Sequence, residues 1–279
     1  MKKTIGIIGF GNMGSAIAER IKSKYKVFVF DKDKNKTKRL KGIRRIGSIN
    51  NLVNSVDVII LAVKPQDFDV VLNELKGGIT RQLIITIAAG KDTGYIEEVL
   101  GKIRIVRAMP NLPAKIGQGT ICLAKGSHAT GADLNFSDNL FSHLGKTIEL
   151  KEGQMDAATA VSGSGPGYFY KLIRIENIDP NNGTEISEFA KNKFIPQLSA
   201  SATKVGFNSD QARSLAVSTS AGTIALLRES GLTPAQLEKQ VTSKKGTTEA
   251  GLKKLRGIVF LNEAVLAAYK RAKELSKKG

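Results

Sequence analysis

Thr4-Ile5-Gly6-Ile7-Ile8-Gly9-Phe10-Gly11-Asn12-Met13-Gly14 is the stretch that decides the fold. An apolar run of strand length, Thr4–Ile8, passes into glycines spaced GxGxxG, and a helical pattern over Met13–Ser23 follows. In that context Gly9 permits a tight turn, Gly11 lets a backbone approach a pyrophosphate, and Gly14 lets helix and strand pack closely. Unpaired amides at the helix start then face the phosphates, with Phe10, Asn12 and Met13 in the same turn. The reading is a dinucleotide-binding βαβ unit.

Its expected partner is Asp31, which directly follows a second apolar strand, Lys26–Phe30, and lies 22 residues after Gly9. A carboxylate there accepts the adenosine ribose hydroxyls and favours NADH. Lys32, Lys34, Lys36 and Lys38 follow and are able to neutralise a 2′-phosphate, but Asp31 would repel that phosphate, so NADH is read ahead of NADPH. Leu61-Ala62-Val63-Lys64-Pro65 falls at another strand end, where open α/β sheets bind ligands, and Lys64 there is read equally well as a surface charge at a helix start. Ala88-Ala89-Gly90 offers small residues for a flat nicotinamide. Asn50, Ala62, Val63, Lys64, Pro65 and Ala88 join the cofactor candidates.

The first half alternates short apolar strands with helical stretches, the signature of a doubly wound parallel sheet. Further strands are expected at Arg44–Ile46, Asp57–Val63, Leu83–Ala88, Ile103–Ala108, Thr120–Ala124 and Thr147–Leu150, and helices at Gln66–Leu75 and Thr93–Leu100. Most of these strands lack polar alternation, as expected when helices cover both faces. Beyond Gln154 strand signals vanish, and Ser209–Glu229, Pro234–Val241 and Ile258–Leu275 read as helices. Asn177-Ile178-Asp179-Pro180-Asn181-Asn182-Gly183 is a turn cluster within that half. The expected fold is α/β: a Rossmann-type domain over 1–153 and an all-helical domain over 154–279.

Composition bounds the rest. Of 279 residues 41% are hydrophobic and 24% charged, ordinary for a globular protein. No apolar run approaches the ~20 residues of a membrane span. The start, Met1–Thr4, enters a strand pattern at once and does not read as a signal peptide. The lone Cys122 leaves no second thiol for a disulfide or a zinc site, which points to a core residue and a cytoplasmic protein. The formal charge of +18 raises nucleic acid or an anionic membrane as partner, but the lysines are spread along the chain, tryptophan is absent and no aromatic residues interleave the basic ones. Neither partner is expected.

Three later stretches add specificity. They are Arg107-Ala108-Met109-Pro110-Asn111-Leu112-Pro113-Ala114, then Ser162-Gly163-Ser164-Gly165-Pro166-Gly167-Tyr168, then Val241-Thr242-Ser243-Lys244-Lys245-Gly246-Thr247-Thr248. With the glycine turn and the Ala62–Pro65 strand end, they make nearly the whole chain resemble the pyrroline-5-carboxylate reductase family. The resemblance implies hydride transfer from NAD(P)H to a small cyclic imine, giving L-proline, by a homodimer or larger homo-oligomer joined through the helical half. It further implies that amides around Gly246–Thr248 hold the substrate carboxylate, that Ser243 and Thr247 belong to the same loop, that the Thr248 hydroxyl lies near the ring nitrogen, and that Glu152 lies near the substrate. An iminium is already electrophilic, so no strong acid or metal is required, and His128 and His143 are read as bystanders. Two departures stand out. The family loop carries Pro-Gly-Gly where this chain has Lys244-Lys245-Gly246, and 176–193 looks like an insertion carrying its own turn.

Two rivals remain. A β-hydroxyacid dehydrogenase would use a lysine with an asparagine four residues later; Lys171 fits, but position 175 is Ile. A dinucleotide-binding sensor that has lost catalysis is the other.

Overall fold

The computed structural model describes residues 3–38 and 40–277. Its sheet half contains β1 (Thr4–Ile8), α1 (Asn12–Ile21), β2 (Lys26–Phe30), β3 (Arg44–Arg45), α2 (Ile49–Val53), β4 (Val58–Leu61), α3 (Pro65–Leu75), β5 (Leu83–Thr86), α4 (Thr93–Leu100), β6 (Arg104–Pro110), β7 (Gly119–Lys125), α5 (Gly131–Ser142) and β8 (Gly145–Glu149). The strands form one sheet in the order β3-β2-β1-β4-β5-β6-β7-β8, reversing direction of travel at β1, the topological switch point. Every residue of β4 and β5 is buried, which explains their unbroken apolar sequences.

The alternation of strands and helices predicts a parallel sheet, but this sheet is mixed. β7 runs antiparallel to β6, pairing Met109 with Cys122 and Ala108 with Leu123, and β8 runs parallel to β7. The connection 111–118 holds only a 3₁₀ turn, Leu112–Ile116, and is too short for a crossover of about a dozen residues. The chain therefore folds back beside β6.

From Glu152 onward all elements are helical: α6 (Met155–Ala158), α7 (Gly165–Ile175), α8 (Gly183–Phe189), α9 (Ile195–Lys204), α10 (Ser209–Ser230), α11 (Pro234–Val241), α12 (Thr247–Leu252) and α13 (Leu261–Ser276). A π-helical turn, Thr159–Gly163, separates α6 from α7, its wider ladder closed by Ser164 N donating to Thr159 O at 2.9 Å. The turn cluster after α7 breaks that helix: Asn177 is left-handed (φ 53) and Asn182 caps α8 by accepting from Glu185 N. The segment is not peripheral, because Phe189 and Phe194 close on Phe169 with ring centroids 5.9 and 5.0 Å apart.

One hydrophobic cluster joins the halves. Met109, Leu112, Cys122, Ala124 and Leu150 of the sheet half pack with residues of the helices from Met155 to Ala268. α10 lies so close that a side chain on Gly222 would collide with the carbonyl of Gln118.

Candidate functional site

The turn after β1 has the geometry its glycines demand. Gly9 has φ +98 and its amide donates to Phe30 O; a Cβ there would stand 2.6 Å from the carbonyl oxygen of Ala62. Gly11 faces open space, with nothing within 4 Å of a Cβ, and a side chain on Gly14 would collide with the Gly9 carbonyl. α1 carries no acidic residue in its first turn and no side-chain cap, so its leading amides are left for an external acceptor. Beside them lies a cleft of about 540 Å³, lined among others by Gly9, Gly11, Asp31, Ala62, Val63 and Lys64. Phe10 and Met13 pack against the sheet core, and Asn12 is exposed. Ile49 lines the cleft; its neighbour Asn50 has an exposed side chain. Ala88 is buried in the loop after β5. A dinucleotide fits this cradle: two of the glycine positions admit no side chain, and the third leaves a backbone free for close approach.

Asp31 sits at the cleft with both carboxylate oxygens engaged. Oδ2 accepts from Phe10 N at 2.7 Å and Oδ1 from Asp33 N at 2.8 Å, while Lys36 Nζ lies 3.4 Å from Oδ2. Burial pushes the carboxyl upward, but those amides and the Lys36 ammonium together hold it below the usual aspartate value. Lys32 is paired across the cleft with Asp67 at 2.6 Å. Sequence reasoning anticipates Asp31 as a cofactor ligand; the bond by which it fastens the glycine turn to the end of β2 arises only in three dimensions.

The second cluster is built where α12 meets α7. Thr247 and Thr248 open α12, both buried. Thr248 Oγ1 donates to Ser164 Oγ at 3.1 Å, and Ser164 Oγ lies 3.3 Å from Thr247 Oγ1. A side chain on Gly167 would stand 2.7 Å from Thr248 Cγ2, so this glycine is what lets the threonine in. One residue before the π turn closes, Ser162 O accepts from Asn111 Nδ2 at 3.2 Å, tying the same segment to the end of β6. The sequence does not single out Ser164 for this contact with both threonines, because its place between glycines reads first as a packing turn.

Ahead of α12, Ser243-Lys244-Lys245-Gly246 forms a turn closed by Gly246 N donating to Ser243 O at 3.0 Å. Lys245, at its third position, has φ 59. This is the conformation that asks for glycine in a type II turn, and a side chain there costs about 1–2 kcal/mol. Gly246 itself is extended and lies against the Ser243 side chain.

Glu152 is placed elsewhere. Its Oε1 accepts from Arg107 Nη1 at 2.7 Å and from Thr93 N at 3.4 Å, and no hydrogen bond joins it to the 243–248 loop among the described residues. Burial pushes its carboxyl up, and the Arg107 guanidinium pulls it back only in part. Arg107 is 1% exposed, and its Nη2 lies 3.5 Å from Asp156 Oδ1, which also accepts from Ser276 Oγ at 2.8 Å. Lys171, the lysine of the rival dehydrogenase reading, donates to Leu252 O at 2.7 Å and so finishes α12. His128 is exposed, and His143 packs edge-on to Tyr25.

A glycine cradle at a sheet switch point, followed by helices that carry a threonine loop, defines a dinucleotide-binding protein of the Rossmann class. Comparison with known proteins narrows this. The family model "NADP oxidoreductase coenzyme F420-dependent" matches residues 4–90, and "Pyrroline-5-carboxylate reductase dimerisation" matches 192–275. The pyrroline-5-carboxylate reductase of Synechocystis is 34% identical over 100% of both chains. Among solved structures, that of a pyrroline-5-carboxylate reductase from Coxiella burnetii is 30% identical, with TM-score 0.65 over 99% of each chain. A Plasmodium falciparum pyrroline carboxylate reductase with NADP bound is 28% identical, with TM-score 0.63 over 98% of each. The chain belongs to the pyrroline-5-carboxylate reductase family.

Proposed function

We propose that this chain reduces 1-pyrroline-5-carboxylate to L-proline with NAD(P)H. The observation that carries the reading is the link from Thr248 through Ser164 and the π turn to Asn111, which ties the threonine loop to the strand ends of the cofactor sheet. When bound, the reduced dinucleotide supplies a hydride to the imine carbon. Gly9–Gly14, Asp31, Asn50, Ala62–Pro65 and Ala88 are the residues assigned to hold it. The backbone from Gly246 to Thr248, with Ser243, is assigned the substrate carboxylate. With its proton donated to Ser164, Thr248 Oγ1 presents lone pairs, which suit the N–H of an iminium. Glu152 acts through Arg107 and the start of α4 in this reading. What the protein contributes is orientation and a preorganised polar frame.

The finer assignments follow from the same reading. NADH is preferred to NADPH, because a 2′-phosphate would meet the Asp31 carboxylate. Residues 1–153 form the cofactor unit, and 154–279 form the substrate and assembly unit, joined as a homodimer. The proposed location is the cytoplasm, where a lone buried thiol such as Cys122 stays reduced.

Purified protein mixed with pyrroline-5-carboxylate and either coenzyme should consume the reduced nicotinamide absorbance. No turnover with NADH or NADPH sinks the reductase reading, and oxidation of a 3-hydroxy acid with NAD⁺ instead would favour the rival dehydrogenase. A strong preference for NADPH would overturn the ribose role of Asp31. Thr248→Ala should lower kcat/KM for the imine about 10- to 100-fold, as loss of a hydrogen bond to a charged group does, with little change in coenzyme KM. An unchanged rate would reduce Thr248 to a packing residue.

A further inference from the structure

The loop that carries the proposed substrate site holds a residue in the wrong conformation for its type. Lys245 has φ 59, where the chain's own turn geometry asks for glycine. Nothing in the side chain of lysine stabilises that conformation locally, so the surroundings must impose it. Two groups do so from opposite sides. Glu249 Oε2, one turn into α12, accepts from Lys245 N at 2.8 Å. Arg271 Nε, on α13, donates to Lys245 O at 2.9 Å. Both peptide planes flanking Lys245 are thereby fixed, and the second contains the Gly246 amide, which closes the turn on Ser243 O.

Arg271 is well supported for this task. Its Nη1 pairs with Glu274 at 2.9 Å, which holds the guanidinium along the helix. One turn further, Leu275 packs on Gly90, whose Cβ position lies 2.9 Å from Leu275 Cβ, and Ser276 bonds Asp156. The same helix end therefore rests on the loop after β5 while its side chain reaches the substrate turn.

We propose that Arg271 is a positioning residue for imine reduction: anchored by α13 against Gly90, it holds the Lys245 peptide in the left-handed turn and so sets the Gly246–Thr248 backbone for the substrate carboxylate. The proposal rests on the reductase reading above, and wild-type turnover of pyrroline-5-carboxylate tests that reading first. The further experiment is a double-mutant cycle on the full chain. Arg271→Gln should raise KM for the imine about fivefold to tenfold, the order expected when a strained backbone is released, with kcat and coenzyme KM changed less than twofold. In the Lys245→Gly background the same Arg271→Gln change should cost less than about twofold in imine KM, because glycine adopts the turn unaided. Glu249→Ala, which removes the acceptor for Lys245 N, should behave like Arg271→Gln and be suppressed by Lys245→Gly, which keeps the cycle readable should Arg271→Gln fail to fold. Deuterium exchange of the peptide covering 242–252 should rise in Arg271→Gln and not in the distant control Arg213→Gln. Equal KM penalties in both backgrounds, an unchanged imine KM, or unchanged exchange in that peptide would overturn the proposal.

Discussion

Asp31 holds two backbone amides, on Phe10 and Asp33, as well as a lysine, and its lowered pKa is a statement about stability. A carboxylate whose folded value lies below its unfolded one contributes stability that is complete above the unfolded value of about 3.9 and is lost as pH falls through the folded value. Asp31→Asn should therefore reduce unfolding free energy at pH 7 by roughly 1–3 kcal/mol. The gap to wild type should close once the pH falls below the folded value, and denaturant melts across a pH series would reveal it. A gap that persists undiminished at low pH would place the effect outside ionisation. At this scale the sequence is most readable where a backbone demand is absolute: Gly9 and Gly14 stand where no side chain fits. It is least readable where partners meet through space. Neither the Asp31 bond to Phe10 nor the joining of Ser164 to both threonines has a local signature, and Glu152 lies with Arg107 for the same reason.

Elements were legible when period and caps agreed. Thr93–Leu100 and Pro234–Val241 have the expected bounds, each opened by a side-chain cap from Asp92 or Thr233. The reversal of β7 was not legible, because an apolar strand carries no mark of its direction; only the shortness of 111–118 records it. The π turn at Thr159–Gly163 was hidden too, since small residues suit α and π ladders alike. The long-range partner of α13 is likewise invisible in its own periodicity. Its last turn fits over Gly90, which combines φ +74 with a Cβ position 2.9 Å from Leu275. Gly90→Ala should accordingly cost about 2 kcal/mol or more, combining left-handed strain with overpacking, and should speed deuterium exchange in the last turn of α13. An unchanged melting temperature would mean that the helix end is free to shift without loss.

Over the whole molecule, the match of 192–275 to a dimerisation model and the family relationship support a homo-oligomer. Val217, Val259 and Leu266 within that region are large apolar residues left 42%, 71% and 41% exposed by the single chain. For the proposed dimer, folding and association are linked, so the apparent Tm should rise with protein concentration. A Tm constant over a hundredfold dilution range would speak against a dimer coupled to folding. The two-part organisation was legible from the loss of strand signals near residue 150, because a change of hydrophobic period is a local property. The packing between the parts was not.

That packing has a practical consequence. Met109, Leu112, Cys122, Ala124 and Leu150 share one cluster with the helices that follow. The change near residue 150 thus marks where the chain stops making strands, not where it can be severed. A recombinant fragment ending at 153 would expose that underside of the sheet to water, and its counterpart would expose the facing helices. Grafting the helical half of a relative onto this sheet would succeed only where the mating surfaces were transplanted as a pair.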